Sequence, residues 1–203
     1  MGKNEYQKIQ LLINKCEEYY PLDEQNRQDL YSIVSIKKID KDGFFVRAGD
    51  YCDTAGFLVS GMIRYFYVDP DGREYTRYFC RAGNFVSSYT SILAGRPSAY
   101  AIQALDNIEL IVFSMEDWNK LNSKDPVWSA LTIKVLEGAQ LIAEERERSL
   151  ILDSAADRYL SLINDFPGIE EKAKQYDLAS YLGITPVALS RIRGRLKKSG
   201  KIY

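Results

Sequence analysis

Between about Lys37 and Phe113 the chain is a succession of short β-branched and aromatic runs broken by turn signals, and this stretch restricts the fold more than any other feature. Gly43-Phe44-Phe45-Val46, Gly56-Phe57-Leu58-Val59 and Met62-Ile63-Arg64-Tyr65-Phe66-Tyr67-Val68 each fit a strand, as do Glu74-Tyr75-Thr76-Arg77-Tyr78-Phe79, Tyr100-Ala101-Ile102-Gln103-Ala104 and Leu110-Ile111-Val112-Phe113. Asp69-Pro70-Asp71-Gly72 is a strong turn, because Pro presets φ and Gly accepts positive φ. Short strands recurring every ~8–12 residues predict a β-sandwich or barrel-like roll.

On both sides of this stretch the apolar period is helical. Tyr6, Ile9, Leu12, Ile13 and Cys16 form one stripe; Pro21 interrupts it, and Leu30, Ile33 and Ile36 resume it. Beyond the strands, Asp125 is placed as an N-cap and Pro126 as the first helical residue. Leu131, Val135, Gly138 and Ile142 then line one face of a long helix, flanked by Leu136, Ala139 and Ala143 and followed by Glu144-Glu145-Arg146-Glu147-Arg148. Such a stripe suits pairing with a second copy of itself or packing against the chain's own β-region, and the spacing alone leaves both open. A further helix starts near Asp153-Ser154 and stops at Phe166-Pro167-Gly168, which makes Leu150–Ser154 a hinge.

Charge is distributed unevenly. Residues 172–203 hold eight Lys/Arg and one acid, Asp177, whereas the other 171 residues hold 19 basic and 27 acidic side chains. A basic end on an acidic body points to a polyanion, nucleic acid first, although a solvated basic tail gives the same count. Within that end, Leu178, Ala179 and Leu182 give one short helix an inner face, and Gly183 permits a tight turn. Thr185 and Pro186 start a second helix whose buried stripe is Leu189, Ile192 and Leu196. Ser190, Arg191, Arg193, Arg195 and Lys197 are left facing outward. This pattern is that of a helix-turn-helix, with a structural helical hairpin as the alternative. Arg191 has the fork to read a guanine edge, and Ser190 can bond a base or a phosphate. Thr185, Arg193, Arg195, Lys197 and Lys198 are expected on phosphates.

Several function classes are excluded or unsupported. With no histidine in the chain, a Ser-His-Asp triad, a Cys-His dyad and a His-ligated haem are ruled out. Cys16, Cys52 and Cys80 contain no CxxC pair, so no metal site is indicated and reduced core thiols are expected. No catalytic constellation is found, and the chain is not expected to be an enzyme. No membrane helix or secretory signal is seen, which places the expected site of action in the cytoplasm.

Roll, long helix and helix-turn-helix in this order resemble the family of the cyclic-AMP receptor protein and the fumarate–nitrate reduction regulator, from roughly Phe44 to Tyr203. The matching phrases are Phe45-Val46-Arg47-Ala48-Gly49-Asp50, Val59-Ser60-Gly61-Met62-Ile63-Arg64, Asp69-Pro70-Asp71-Gly72-Arg73-Glu74, Gly83-Asn84-Phe85 and Pro97-Ser98-Ala99. Toward the C-terminus they are Leu182-Gly183-Ile184-Thr185-Pro186 and Leu189-Ser190-Arg191-Ile192. The resemblance implies an α+β fold. Residues 1–124 would form an effector-sensing, jelly-roll-like double-stranded β-helix, 125–150 a dimerisation helix through Leu131, Val135, Gly138 and Ile142, and 151–203 a winged-helix-like helix-turn-helix domain. It also implies a homodimeric regulator on double-stranded DNA, with RNA polymerase as a further candidate partner. The alternative is a cyclic-nucleotide or small-metabolite sensor whose output is protein contact.

The departures from the family are informative. The family's cyclic-nucleotide members hold the ribose with a Gly-Glu pair, where this chain has Ser87-Ser88, and clamp the phosphate with Arg-Ser, where it has Pro97-Ser98 with Arg96 one position early. Ser87, Ser88, Arg96 and Ser98 are therefore pocket candidates by position only. Cyclic AMP is not the expected effector, and no cofactor is indicated. Only Cys16 stands where the iron–sulfur members cluster their cysteines. Val187 replaces an acid of the recognition helix, which would exchange a cytosine contact for a thymine methyl. With Tyr203 so close to the second helix, a shortened or missing wing is expected.

Overall fold

The computed structural model describes residues 3–200. Helices α1 (Lys3–Glu17) and α2 (Glu24–Ile33) precede eight strands. These are β1 (Ser35–Ile39), β2 (Phe44–Val46), β3 (Thr54–Ser60), β4 (Met62–Val68), β5 (Glu74–Arg81), β6 (Phe85–Val86), β7 (Ala101–Ala104) and β8 (Ile108–Ser114). Helix α3 (Tyr89–Ala94) interrupts them before β7. Then come α4 (Met115–Lys124), α5 (Pro126–Leu152), α6 (Ala155–Asp165), α7 (Ile169–Lys172), α8 (Gln175–Tyr181) and α9 (Pro186–Lys198). The wing expectation concerns the chain beyond Gly200 and lies outside the described residues.

Two four-stranded antiparallel sheets, ordered β1-β8-β3-β6 and β2-β7-β4-β5, face each other as a roll. Alternation along each strand sorts the side chains. In β3 and β8, Leu58 and Leu110 point into the roll, while Phe57 and Ile111 point out. In β4, Ile63 and Tyr65 point in, while Met62 joins the core on the other side. Both faces of the central strands are apolar, so each sheet needs an outer cover.

The first sheet is covered by α1, α2, α4 and the start of α5, around Leu12, Ile13, Trp118, Trp128 and Leu131. Asp125 caps α5, accepting from the Val127 amide at 2.9 Å, and Trp128 is fully buried one turn later. The second sheet is covered by the C-terminal helices: Met62 and Phe79 pack with Tyr159, Leu162, Phe166, Leu178 and Leu182. Phe79 lies 5.1 Å from the Tyr181 ring and 6.1 Å from the Phe166 ring.

Some details differ from the sequence reading: Leu150–Leu152, expected in a hinge, are the last residues of α5, and the sequence pattern does not announce α3. Ile36 belongs to β1, paired with Ile111, because the helical period ends at Ile33 and strand pairing takes over. Helix α4, capped by Ser114 accepting from the Asp117 amide, is one the strand-like texture up to Phe113 did not announce. Cys16, Cys52 and Cys80 are free, buried thiols. Burial pushes the Cys16 and Cys80 thiols up to about 12, so neither is a nucleophile near neutral pH. Among the described residues no helix is long and apolar enough to cross a membrane.

Because Trp128 is what fastens the long helix to the roll, Trp128→Ala should cost about 3–5 kcal/mol. Urea denaturation would measure it, and a loss below about 1 kcal/mol would mean α5 is held elsewhere.

Candidate nucleic-acid interface

Helix α8 runs into α9 through Gly183, whose φ of +68° lies in the left-handed region that the turn needs. Thr185 caps α9, its Oγ1 accepting from the Ala188 amide at 3.2 Å, with Pro186 behind it. Leu189, Ile192 and Leu196 are buried against α6, α7 and α8, as the apolar period requires. The remaining surface of α9 carries Ser190, Arg191, Arg195, Lys197 and Lys198 in the open, with no acid anywhere in the helix. Arg191, Gly194, Arg195 and Lys198, spaced at three- and four-residue steps, border one shallow groove along the helix. Val187 is exposed at the start of the same helix.

Two hydroxyls stand ready as donors here. Gln175 of α8 donates to the Pro186 carbonyl at 3.0 Å and to Ser190 Oγ at 2.7 Å. Ser190 thus accepts from its own module and keeps its proton for an outside acceptor, as does Thr185. Gln175 was not legible as a site residue, since its role arises only from the crossing of the two helices.

Arg193 departs from expectation. It does not face outward: its guanidinium pairs with Glu170 at 2.7 Å and donates from Nε to the Tyr159 hydroxyl at 3.2 Å. The reason is angular. Position 193 follows the buried Ile192 and sits four residues after the buried Leu189, on the flank of the apolar stripe.

The long helix divides likewise. Leu131, expected at the start of a self-pairing seam, is 2% exposed and belongs to the Trp128 core, because the first turns of α5 lie against the roll. Farther along, Val135 and Gly138 are half-buried, and Leu141 (65%) and Ile142 (44%) are exposed. Gly138 and Gly194 are the two glycines inside helices among the described residues, and a methyl group on either would meet open space. Nothing in the single chain explains them, although helix-interior glycine costs about 1 kcal/mol relative to alanine.

The pocket candidates are not gathered into one site. Ser88 and Ser98 are buried and bonded to each other at 2.7 Å. Ser98 donates to the Tyr100 carbonyl at 2.7 Å, so Ser88 must be the donor of that pair. Arg96 is on the surface, and Ser87 is half-buried. The neighbouring interior is occupied by aromatic rings, with Tyr65 5.7 Å from Tyr100 and 5.9 Å from Tyr78. Burial holds the Tyr65 hydroxyl well above the ordinary tyrosine range. Among the described residues no cluster of His, Cys, Asp or Glu suited to a metal ion is found.

The arrangement of roll, long helix and two-helix reader matches known proteins. The cyclic nucleotide-binding domain family matches residues 36–125. The fumarate and nitrate reduction regulatory protein of Escherichia coli is 25% identical over 197 residues, spanning 90% of this chain and 77% of that protein. The fold of FixK2 from Bradyrhizobium japonicum superposes with a TM-score of 0.72 at 17% identity, covering 83% of this chain and 86% of the other. A CRP/FNR-family transcriptional regulator from Thermus thermophilus superposes with a TM-score of 0.68 at 19% identity, covering 83% and 89%. Residues 36–125 thus match the cyclic nucleotide-binding domain family, and over most of its length the chain is similar to the fumarate and nitrate reduction regulatory proteins.

If Gly194 serves close approach rather than folding, Gly194→Ala should raise stability, by up to about 1 kcal/mol, in urea denaturation. A destabilised variant would show that the glycine is needed by the chain itself.

Proposed function

We propose that the chain is a homodimeric, sequence-specific DNA-binding regulator, and that α9 is the helix that enters the major groove. The observation that carries this is the exposed, acid-free cationic face of α9, in which Arg191, Arg195 and Lys198 frame Gly194. A phosphate backbone approaching such a face meets three cations, and the missing side chain at Gly194 leaves it room. Arg191 is assigned to a guanine edge, Val187 to a thymine methyl, and Ser190 to a base or a phosphate. Thr185, Arg195, Lys197 and Lys198 are assigned to phosphates, which set register rather than sequence.

Dimerisation is assigned to the partly exposed apolar line of α5. Val135, Gly138 and Ile142 form its line, and Gly138 lets a second helix approach closely. Two copies so joined would read half-sites about 34 Å apart, one helical turn. A regulator of this kind works in the cytoplasm and would meet RNA polymerase at its promoters. The roll is inferred not to take cyclic AMP, because Ser88 and Ser98 satisfy each other and the tyrosines occupy the interior beside them. Arg96 faces solvent instead of lining that interior.

Duplexes selected from a random pool should share two related half-sites. Arg191→Ala should then lose about 1–3 kcal/mol of binding and relax one base position, whereas Lys198→Ala should weaken all duplexes alike and flatten the salt dependence. Equal operator affinity for Arg191→Ala and the parent would remove the base-reading role. Calorimetric titration with cyclic AMP should give a flat trace, and a saturating isotherm of one nucleotide per subunit would overturn the inference about the roll.

A further inference from the structure

Three arginines from three separate elements close on α8, the first helix of the reading motif. From β4, Arg64 pairs through Nη1 with Asp177, the two side chains being 4% and 5% exposed. Its Nη2 donates to Glu74 of β5 at 2.5 Å and to Gln103 of β7 at 3.0 Å. From α5, Arg146 donates to the Tyr181 carbonyl and lies over the Tyr181 ring, 3.7 Å from its centroid. From α6, Arg158 donates to the Leu182 carbonyl at 3.1 Å through Nε and 2.9 Å through Nη2. The Thr76 amide of β5 adds a bond to Ser180 Oγ at 3.0 Å.

The grip is out of proportion to what adhesion needs. The apolar core already joins the module to the roll through Met62 and Phe79. Taking an arginine and an aspartate out of water is costly, and well-packed apolar residues often serve stability as well or better. Burial raises the Asp177 pKa even with the Arg64 cation pulling against it. A planar guanidinium bound at both ends supplies something that apolar contact does not, namely direction. Asp177 and Tyr181 are one helical turn apart, so Arg64 and Arg146 fix the two ends of a seven-residue helix too short to hold itself. Through the Gly183 turn and the Gln175 bonds to Pro186 and Ser190, α9 follows wherever α8 is set. Arg64 is 3% exposed and Arg146 is stacked on Tyr181, so neither is a DNA contact.

We propose that Arg64 and Arg146 are positioning residues: one ties the angle of α9 to the roll, the other ties it to the long helix, and together they set the half-site spacing the dimer accepts. This rests on the DNA-binding reading above. The result is a single rigid path from sensor and dimer helix to reading helix, with α8 as its shared element.

The test uses the full chain, an operator selected by the parent, the same operator with its spacer changed one base pair at a time, and a duplex with a single half-site. Two variants are compared: Arg146→Gln, and the neutral pair Arg64→Gln/Asp177→Asn, which removes both buried charges together and leaves only the half-exposed Glu74 without its cation. The parent should prefer its own spacing by at least about tenfold, within the range that couplings between sites span. The variants should flatten that preference while binding the single half-site about as tightly as the parent. Retention of the parental spacing preference by both variants would overturn the proposal and leave DNA recognition intact. Parallel loss of single-site and full-operator binding, with a lowered melting temperature, would also overturn it, by showing a merely structural role. If the parent itself enriches no duplex, the DNA-binding reading falls, and this proposal with it.

Discussion

A sheet that is apolar on both faces has to be covered twice, and this chain contains two such sheets packed against each other. Their inner faces cover one another. The outer face of β1-β8-β3-β6 is closed by the N-terminal helices, α4 and the start of α5, and that of β2-β7-β4-β5 by the C-terminal module. The reader is therefore not an appendage on a flexible stalk. Its core and the outer core of the second sheet are the same cluster, from Met62 and Phe79 to Leu189 and Leu196. At the energies apolar burial contributes, about 25 cal/mol per Å², such a contact decides where the module rests.

Much of this architecture is legible in the sequence. The β-branched and aromatic run of β4 announces a strand, and Asp125-Pro126, Thr185-Pro186 and Gly183 mark helix starts and a turn by local chemistry alone. What escapes is what depends on a partner distant in the chain. Arg64 reads as one polar residue in a strand, and only the approach of Asp177, 113 positions later, gives it a function. Leu131 and Ile142 occupy one apolar stripe, yet the roll claims the first and leaves the second exposed. Arg193 looks like its neighbours Arg191 and Arg195 until Glu170 and Tyr159 are set beside it. Ser88 and Ser98 occupy pocket positions by register, but whether such hydroxyls face a ligand or each other is decided by packing.

Electrostatics is partitioned along the same lines. The cations of α9 that stay in the open face solvent, where long-range attraction to a polyanion costs no desolvation. Those that are buried or partly buried (Arg64, Arg146, Arg158 and Arg193) bond carboxylates or helix C-terminal carbonyls, which are the partners a desolvated guanidinium requires. The formal count of eight basic residues over 172–203 therefore overstates the open cationic face, because one of them is used internally by Glu170 and another, Lys172, by Asp106.

The bond from the Thr76 amide to Ser180 bears on how such chains can be recombined. Strand β5 is the edge of its sheet, and an edge strand offers unpaired backbone groups to any passing chain. Here the reading module blunts that edge and covers Phe79 beside it. The roll and the reader are thus not interchangeable parts. Grafted onto a foreign reader lacking Asp177 and Ser180, this roll would carry a buried cation with only one of its two carboxylates, and a sticky strand, so the two halves are constrained to diverge together.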